Sequence, residues 1–180
     1  MEILYEKLSI ALILLTLIFF CFKYKSKIED STKYSDRTFF LICFLLLRVL
    51  PVVAIYLFLG FKAHSDVPMF YDAALSALKL KFVYRDFQTA YQPLFPYITA
   101  LPLLFWNSAE AIVFEMIMIE GLILWFCFKN ISISDKRFKI LTYLLLPGPF
   151  VLSVFGGQED VWMWGYGAMI IVAFNRKSSD

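Results

Sequence analysis

The chain has 180 residues, of which 61% are hydrophobic, 19% aromatic and 18% charged, with a formal net charge of +2 and a mean hydropathy of +0.71. Soluble domains carry about 45–50% apolar and about 25% charged residues, and here the apolar residues come in long runs. A soluble globular enzyme, a disordered tail and a disulfide-rich secreted module are therefore excluded, and the small net charge argues against a nucleic-acid partner. Cys21, Cys43 and Cys127 all lie inside apolar runs without ligand-like spacing and read as small buried hydrophobes. The expectation is an all-α, multi-pass integral membrane protein that meets the lipid bilayer directly, in the plasma or endoplasmic reticulum membrane depending on source.

In chain order, the first apolar run is 8–22, flanked by Lys7 and Lys23. It is short for a hydrocarbon core of about 30 Å, and the flanking lysines can snorkel to extend it. Glu2 and Glu6 precede it where a signal peptide would be basic, so it reads as an anchor and not a cleaved leader. Further spans are expected at 38–61, 111–128, 140–155 and 161–174. Between the second and third lies 93–106, with Pro93, Pro96 and Pro102. As helix it would reach only about 21 Å, and its prolines remove backbone donors, so it reads as a re-entrant segment or a short span. Five transmembrane helices are expected, six if 93–106 crosses.

The basic residues choose between these. If 93–106 does not cross, eleven Lys and Arg gather on one face (23–37, 129–139 and the tail) against five on the other. The positive-inside rule then places 62–92 and 156–160 together on the non-cytoplasmic face. Under this topology the sequon Asn130-Ile131-Ser132 is cytoplasmic and unmodified.

The longest polar stretch, 62–92, carries most of the information. From Val67 its apolar positions fall at Val67, Phe70, Tyr71, Ala74, Leu75, Leu78 and Phe82, one face of a helix over 67–82. Lys79 and Lys81 lie off that stripe, as for an amphipathic helix lying along a membrane surface, and Pro68 falls in the first turn, where it is tolerated. Asp66 precedes the helix. Two readings stay open for it: an N-cap worth about 1 kcal/mol, or a catalytic carboxylate held at the membrane surface. His64-Ser65-Asp66 is too sparse for a metal signature. Within the spans, Arg48, Glu115 and Glu120 each cost about 2.5–3.5 kcal/mol at a helix centre, so Arg48 is expected to pair with Glu115 or Glu120. Trp106, Trp125, Trp162 and Trp164 read as interfacial belts.

His64-Ser65-Asp66-Val67-Pro68-Met69-Phe70-Tyr71-Asp72-Ala73-Ala74, then Phe82-Val83-Tyr84-Arg85-Asp86, then Tyr91-Gln92-Pro93-Leu94-Phe95-Pro96-Tyr97 resembles the first lumenal loop of polyprenol-phosphate-sugar-dependent glycosyltransferases of the GT-C superfamily, especially the mannosyltransferase-like members. Pro147-Gly148-Pro149 and Gly156-Gly157-Gln158-Glu159-Asp160 are similar to that family's proline-ended helix and following turn. The resemblance covers about residues 40–175. It implies transfer of a sugar, mannose-like, from a polyprenyl-phosphate donor at the non-cytoplasmic face. Asp66 would be the catalytic base; His64, Tyr71, Arg85, Gln158, Glu159 and Asp160 would bind substrate, with Lys79 and Lys81 as further cations for the phosphate.

No metal set is implied, and a divalent metal is the one cofactor that this chemistry could use. The family places its acidic loop after the first span, which makes 8–22 an additional helix. Family members are also longer, so the chain reads as the N-terminal part of such an enzyme. The alternative is a non-catalytic GT-C-like membrane subunit, with a partner subunit, or a truncated remnant.

Overall fold

A computed structural model describes residues 2–30, 34–131 and 133–177, and side chains for 7–174 of these. The described residues are predominantly helical, with no strand beyond an isolated bridge between Val83 and Phe87. The helices are α1 (Glu2–Lys23), α2 (Lys25–Glu29), α3 (Asp36–Phe58), α4 (Val67–Leu78), α5 (Phe95–Leu104, whose last turn is 3₁₀), α6 (Ala109–Asn130), α7 (Lys136–Leu145), α8 (Pro147–Gly156) and α9 (Asp160–Lys177). Ser132 of the sequon lies outside the described residues.

Among the described residues, two helices are long and apolar enough to cross a membrane, α3 and α6, fewer than the five or six expected from sequence. A third arises if α7 and α8 count as one span, but they are bent by 56°. Pro147 explains the bend: it has no N–H to continue the ladder, and it holds Leu146 at extended backbone angles. The apolar part of α9, Asp160–Phe174, is a shorter helix, as is α5.

Helix α6 is the centre of the bundle. Ile112, Val113, Met116, Ile117, Glu120 and Gly121 are all buried on it. Helix α3 runs antiparallel along one side: Phe40 packs on Trp125 and Phe128, and Arg48 meets Glu120. Phe44 sits over Gly121 so closely that a Cβ there would fall 2.5 Å from the ring, and Gly121 is what lets the two helices approach. Helix α9 lies along another side, with Gly165 against Ile123.

The buried stripe of α3 repeats every four residues: Phe40, Phe44, Arg48, Val52 and Tyr56. A pure α-helix turns about 100° per residue, and such a stripe would drift around the axis. Here Leu45–Val49 and Val53–Phe58 are π-helical turns. Their wider i→i+5 winding counteracts the drift and keeps all five residues facing the core.

Arg48 and Tyr56 each serve a broken helix end. The Arg48 guanidinium donates to both Glu120 carboxylate oxygens (3.2 and 3.1 Å), to the Leu47 carbonyl (3.1 Å) and to the Leu144 carbonyl (2.7 Å). Pro51 has no N–H to offer Leu47, and Leu144 lies at the end of α7, so both carbonyls need an outside donor. Tyr143 also donates to Glu120 Oε1 (3.1 Å). Eight residues after Arg48, the Tyr56 hydroxyl reaches the Val154 and Phe155 carbonyls at the end of α8, both at 3.1 Å. The expected pairing of Arg48 is thus with Glu120, while buried Glu115 Oε2 finds no partner.

Two ends of the bundle are polar. At one, Asp36 pairs with Lys136 and Arg137, Lys25 with Asp135 (2.6 Å), and Glu29 accepts the Phe138 N–H (2.6 Å). The other end holds the start of α4 and the α8–α9 turn.

Helix α4 carries the expected stripe, with Val67, Phe70, Ala74 and Ala77 buried, and Pro68 stands in its first turn. Its apolar face packs on α5 and α6 instead of being presented to a bilayer surface. It also ends at Leu78, four residues before the expected 82. Leu80, at φ +56°, closes it: the Leu80 N–H bonds Ala77 O (2.9 Å) and the Lys81 N–H bonds Ser76 O (3.3 Å), a Schellman ending. Glycine is the usual residue at that position, and a leucine held left-handed costs about 1–2 kcal/mol. Leu80 is 83% exposed and contributes little packing. Leu80→Gly is therefore expected to raise stability by about 1 kcal/mol, measured as a higher unfolding midpoint of the purified chain in micelles.

Candidate active site at the α4 and α9 N-termini

Asp66 directly precedes α4, and its side chain makes no capping hydrogen bond. The cap reading of this residue is thereby corrected. Its carboxylate instead accepts from Gln158 Nε2 at 3.2 Å, and the same nitrogen donates to Ser65 Oγ at 2.8 Å. One amide thus bridges two segments 92 and 93 residues apart in the chain. Ser65 stands at φ +61°, a left-handed conformation for a non-glycine residue, and the bond from Gln158 holds it there.

The approach of these segments depends on Gly157. Its φ is +55°, and a Cβ there would lie 2.7 Å from Val67 Cγ2 and 3.1 Å from Val113 Cγ2. The turn can press against the first residue of α4 and the wall of α6 only because no side chain intervenes. Glu159 and Asp160 follow at once, with Asp160 opening α9 at the end that favours an anion.

Tyr91 completes the group. Its ring is held edge-on by Phe70 (4.9 Å between centroids) and stacked by Phe95 (5.0 Å). Burial, reinforced by the charges of Glu159, Asp66 and Asp160, pushes its hydroxyl up to about 12. Burial also raises the Glu159 carboxyl above its ordinary range, and the neighbouring charges of Asp160 and Asp66 add to the effect. Three carboxylates from two segments therefore act by charge on one phenol.

Beside them opens a cleft of about 500 Å³ lined by Tyr91, Gln92, Phe95, Glu159, Asp160, Trp162, Met163 and Tyr166, with Ala90 at its edge. Trp162 is only 6% exposed and packs on Phe95 at 5.8 Å, so its reading as an interfacial belt residue is corrected: it is a cleft wall. Trp125, packed between Phe40 and Phe128, is likewise a packing residue. No lining residue is a cation. Among the described residues, no group of three or more His, Cys, Asp or Glu is arranged to hold a metal ion.

The other expected site residues make contacts of their own. Arg85 grips its neighbour Asp86 through two bonds, 2.9 and 2.8 Å, and stacks on Phe82 at 4.3 Å. Arg85 and the Phe82 N–H together hold Asp86 down to about 2. Tyr71 donates to Asn107 (3.0 Å). His64 Nδ1 stands 3.4 Å from the Lys62 carbonyl.

Glu110, not singled out from sequence, ties the entry to this region from α6. It accepts from Ser108 Oγ and from the Ala63 N–H (3.4 Å), and Lys62 stands 3.9 Å away. Tyr91 was legible only as part of a motif, and Trp162 only as a tryptophan near a helix start. No protein-family profile, curated protein or solved structure matches the chain.

Proposed function

We propose that the protein is a multi-pass membrane glycosyltransferase of the GT-C type, or the N-terminal part of one. It would transfer a mannose-like sugar from a polyprenyl-phosphate donor at the non-cytoplasmic face. In this reading α1, α3, α6, the bent α7–α8 pair and α9 are the five spans, and α5 is a short re-entrant element. Exposed Leu12, Phe19, Leu46, Leu122, Ile171 and Phe174 on these helices support a lipid-facing belt, since water-exposed surfaces rarely carry so much contiguous apolar area.

The observation that carries the reading is the convergence of Asp66, Gln158, Glu159 and Asp160 beside a cleft at one end of the bundle. In the transfer, an acceptor O–H attacks the anomeric carbon. The acceptor proton passes to a carboxylate, and the phosphate departs with the electron pair of the broken C–O bond. Asp66 is the base in this scheme, with Gln158 fixing its orientation.

Asp66→Asn tests it. The amide keeps an acceptor for Gln158 but cannot take the proton, so transfer from labelled polyprenyl-phosphate sugars in membranes is expected to fall by about 10²–10⁴-fold at unchanged expression. Retained transfer removes Asp66 from the base role.

A second reading, a non-catalytic GT-C-like subunit, is favoured by one observation: the cleft presents no cation, and Arg85 is engaged by Asp86. The departing phosphate would then be met by another chain, and transfer would require that partner.

A further inference from the structure

We propose that the cleft between Tyr91 and Trp162 is a subsite for an uncharged, hydroxyl-bearing sugar ring, the acceptor side of the reaction, and that it rejects phosphate. The acceptor role rests on the transferase reading; the binding chemistry does not.

Glu159 and Asp160 line the cleft as hydrogen-bond acceptors, and Asp66 stands close enough to act on Tyr91 and Glu159 by charge. Such a wall needs donors from its ligand. The opposite need is present in the same wall. Trp162 is 94% buried, being 6% exposed, and its indole Nε1 has no partner. An indole N–H can only donate, so it needs an acceptor. Glu159 Oε2 is also buried without a partner. Leaving buried polar atoms unmet is costly, and a ligand that supplies both roles removes that cost.

The chemistry narrows the ligand. A phosphate could accept from Trp162 but would be repelled by three carboxylates with no cation in the lining. An ammonium or guanidinium group could satisfy the carboxylates but offers nothing to the indole N–H. A hydroxyl both donates and accepts. Of the remaining lining, Gln92 adds an amide that can donate and accept, and Tyr91, Phe95, Met163 and Tyr166 supply apolar and aromatic faces suited to the C–H face of a pyranose ring. At about 500 Å³ the cleft lies within the range of small-molecule sites. The donor's phosphate must accordingly be held elsewhere.

The test is ligand-observed saturation-transfer NMR on the full chain in a zwitterionic micelle, because a sugar-headed detergent would itself compete. The probes are methyl glycosides, inorganic phosphate and an alkylammonium ion. The glycosides are expected to bind saturably without competition from phosphate or the cation. Replacing Trp162 by benzothienylalanine keeps the bicyclic ring and removes only the N–H, and it is expected to weaken glycoside binding about five- to tenfold. Asp160→Asn, at an exposed position, is expected to weaken it similarly with the fold intact.

Phosphate or the cation displacing the glycoside overturns the proposal, as does unchanged affinity in either variant or no glycoside binding. The two readings fail separately. Glycoside binding without any transfer leaves the subsite standing and removes the transferase. Asp66-dependent transfer without glycoside binding does the reverse.

Discussion

Glu120→Ala is expected to lower the stability of the folded chain by about 3–5 kcal/mol, because it strands a charged guanidinium in the core. Arg48 and Glu120 are both fully buried. Removing the carboxylate leaves Arg48 Nε and the Tyr143 hydroxyl without their acceptor. The measurement is a denaturant or thermal titration of the purified chain in micelles.

The comparison that gives the result meaning is Arg48→Met, Glu120→Leu and Tyr143→Phe combined. Replacing a whole buried ionic group by apolar residues of similar volume is often neutral or better. Here the combined variant is expected to recover only part of the loss. The Leu47 and Leu144 carbonyls would lose the donor that Arg48 supplies beside two proline-related breaks. Glu120→Ala within about 1 kcal/mol of the parent would mean that the pair is solvated and not buried.

Gly157→Ala is the second large effect. An alanine at φ +55° costs about 1–2 kcal/mol in backbone strain. Its methyl would also press into Val67 and Val113, and overpacking of that kind costs typically about 1–3 kcal/mol. The strain is relieved by moving the turn away from α4, which lengthens the Gln158 bonds to Ser65 and Asp66. Transfer is therefore expected to fall by about 10²-fold, as for a misplacement of about 1 Å, alongside the stability loss. A Gly167→Ala control, at a position without positive φ whose Cβ would meet nothing within 4 Å, should cost less in both measurements. Equal effects at the two glycines would refute the close-approach argument.

How much of this was legible in the sequence follows from the range of each interaction. The α4 stripe was readable because helix periodicity is local, and Val67, Phe70 and Ala74 are buried as the spacing implies. Its end was not readable: Leu80 in a left-handed cap is a backbone choice that carries no residue signature, glycine being absent. A partner for Arg48 was predictable from cost alone, whereas choosing Glu120 over Glu115 required the rotation of α6. Tyr56 was missed, although its spacing of eight from Arg48 was a usable signal. The resemblance pointed to Asp66 and the 156–160 turn, and the structure puts Gln158 between them. It assigned Arg85 to the substrate as well, and there a neighbouring Asp86 captures the charge.

Composition and periodicity by themselves determined an all-helical chain with apolar segments long enough to cross a membrane and an acidic loop on a helix start. Those properties depend only on residues near one another in sequence. Tertiary structure decided how many helices stay long and straight, because Pro147 bends one pair. It also decided which carboxylates face one another, because Gly157 admits α4 against the α8–α9 turn. And it made Trp162 a cleft wall with an unmet N–H, because Phe95, 67 residues away in the sequence, packs against its ring.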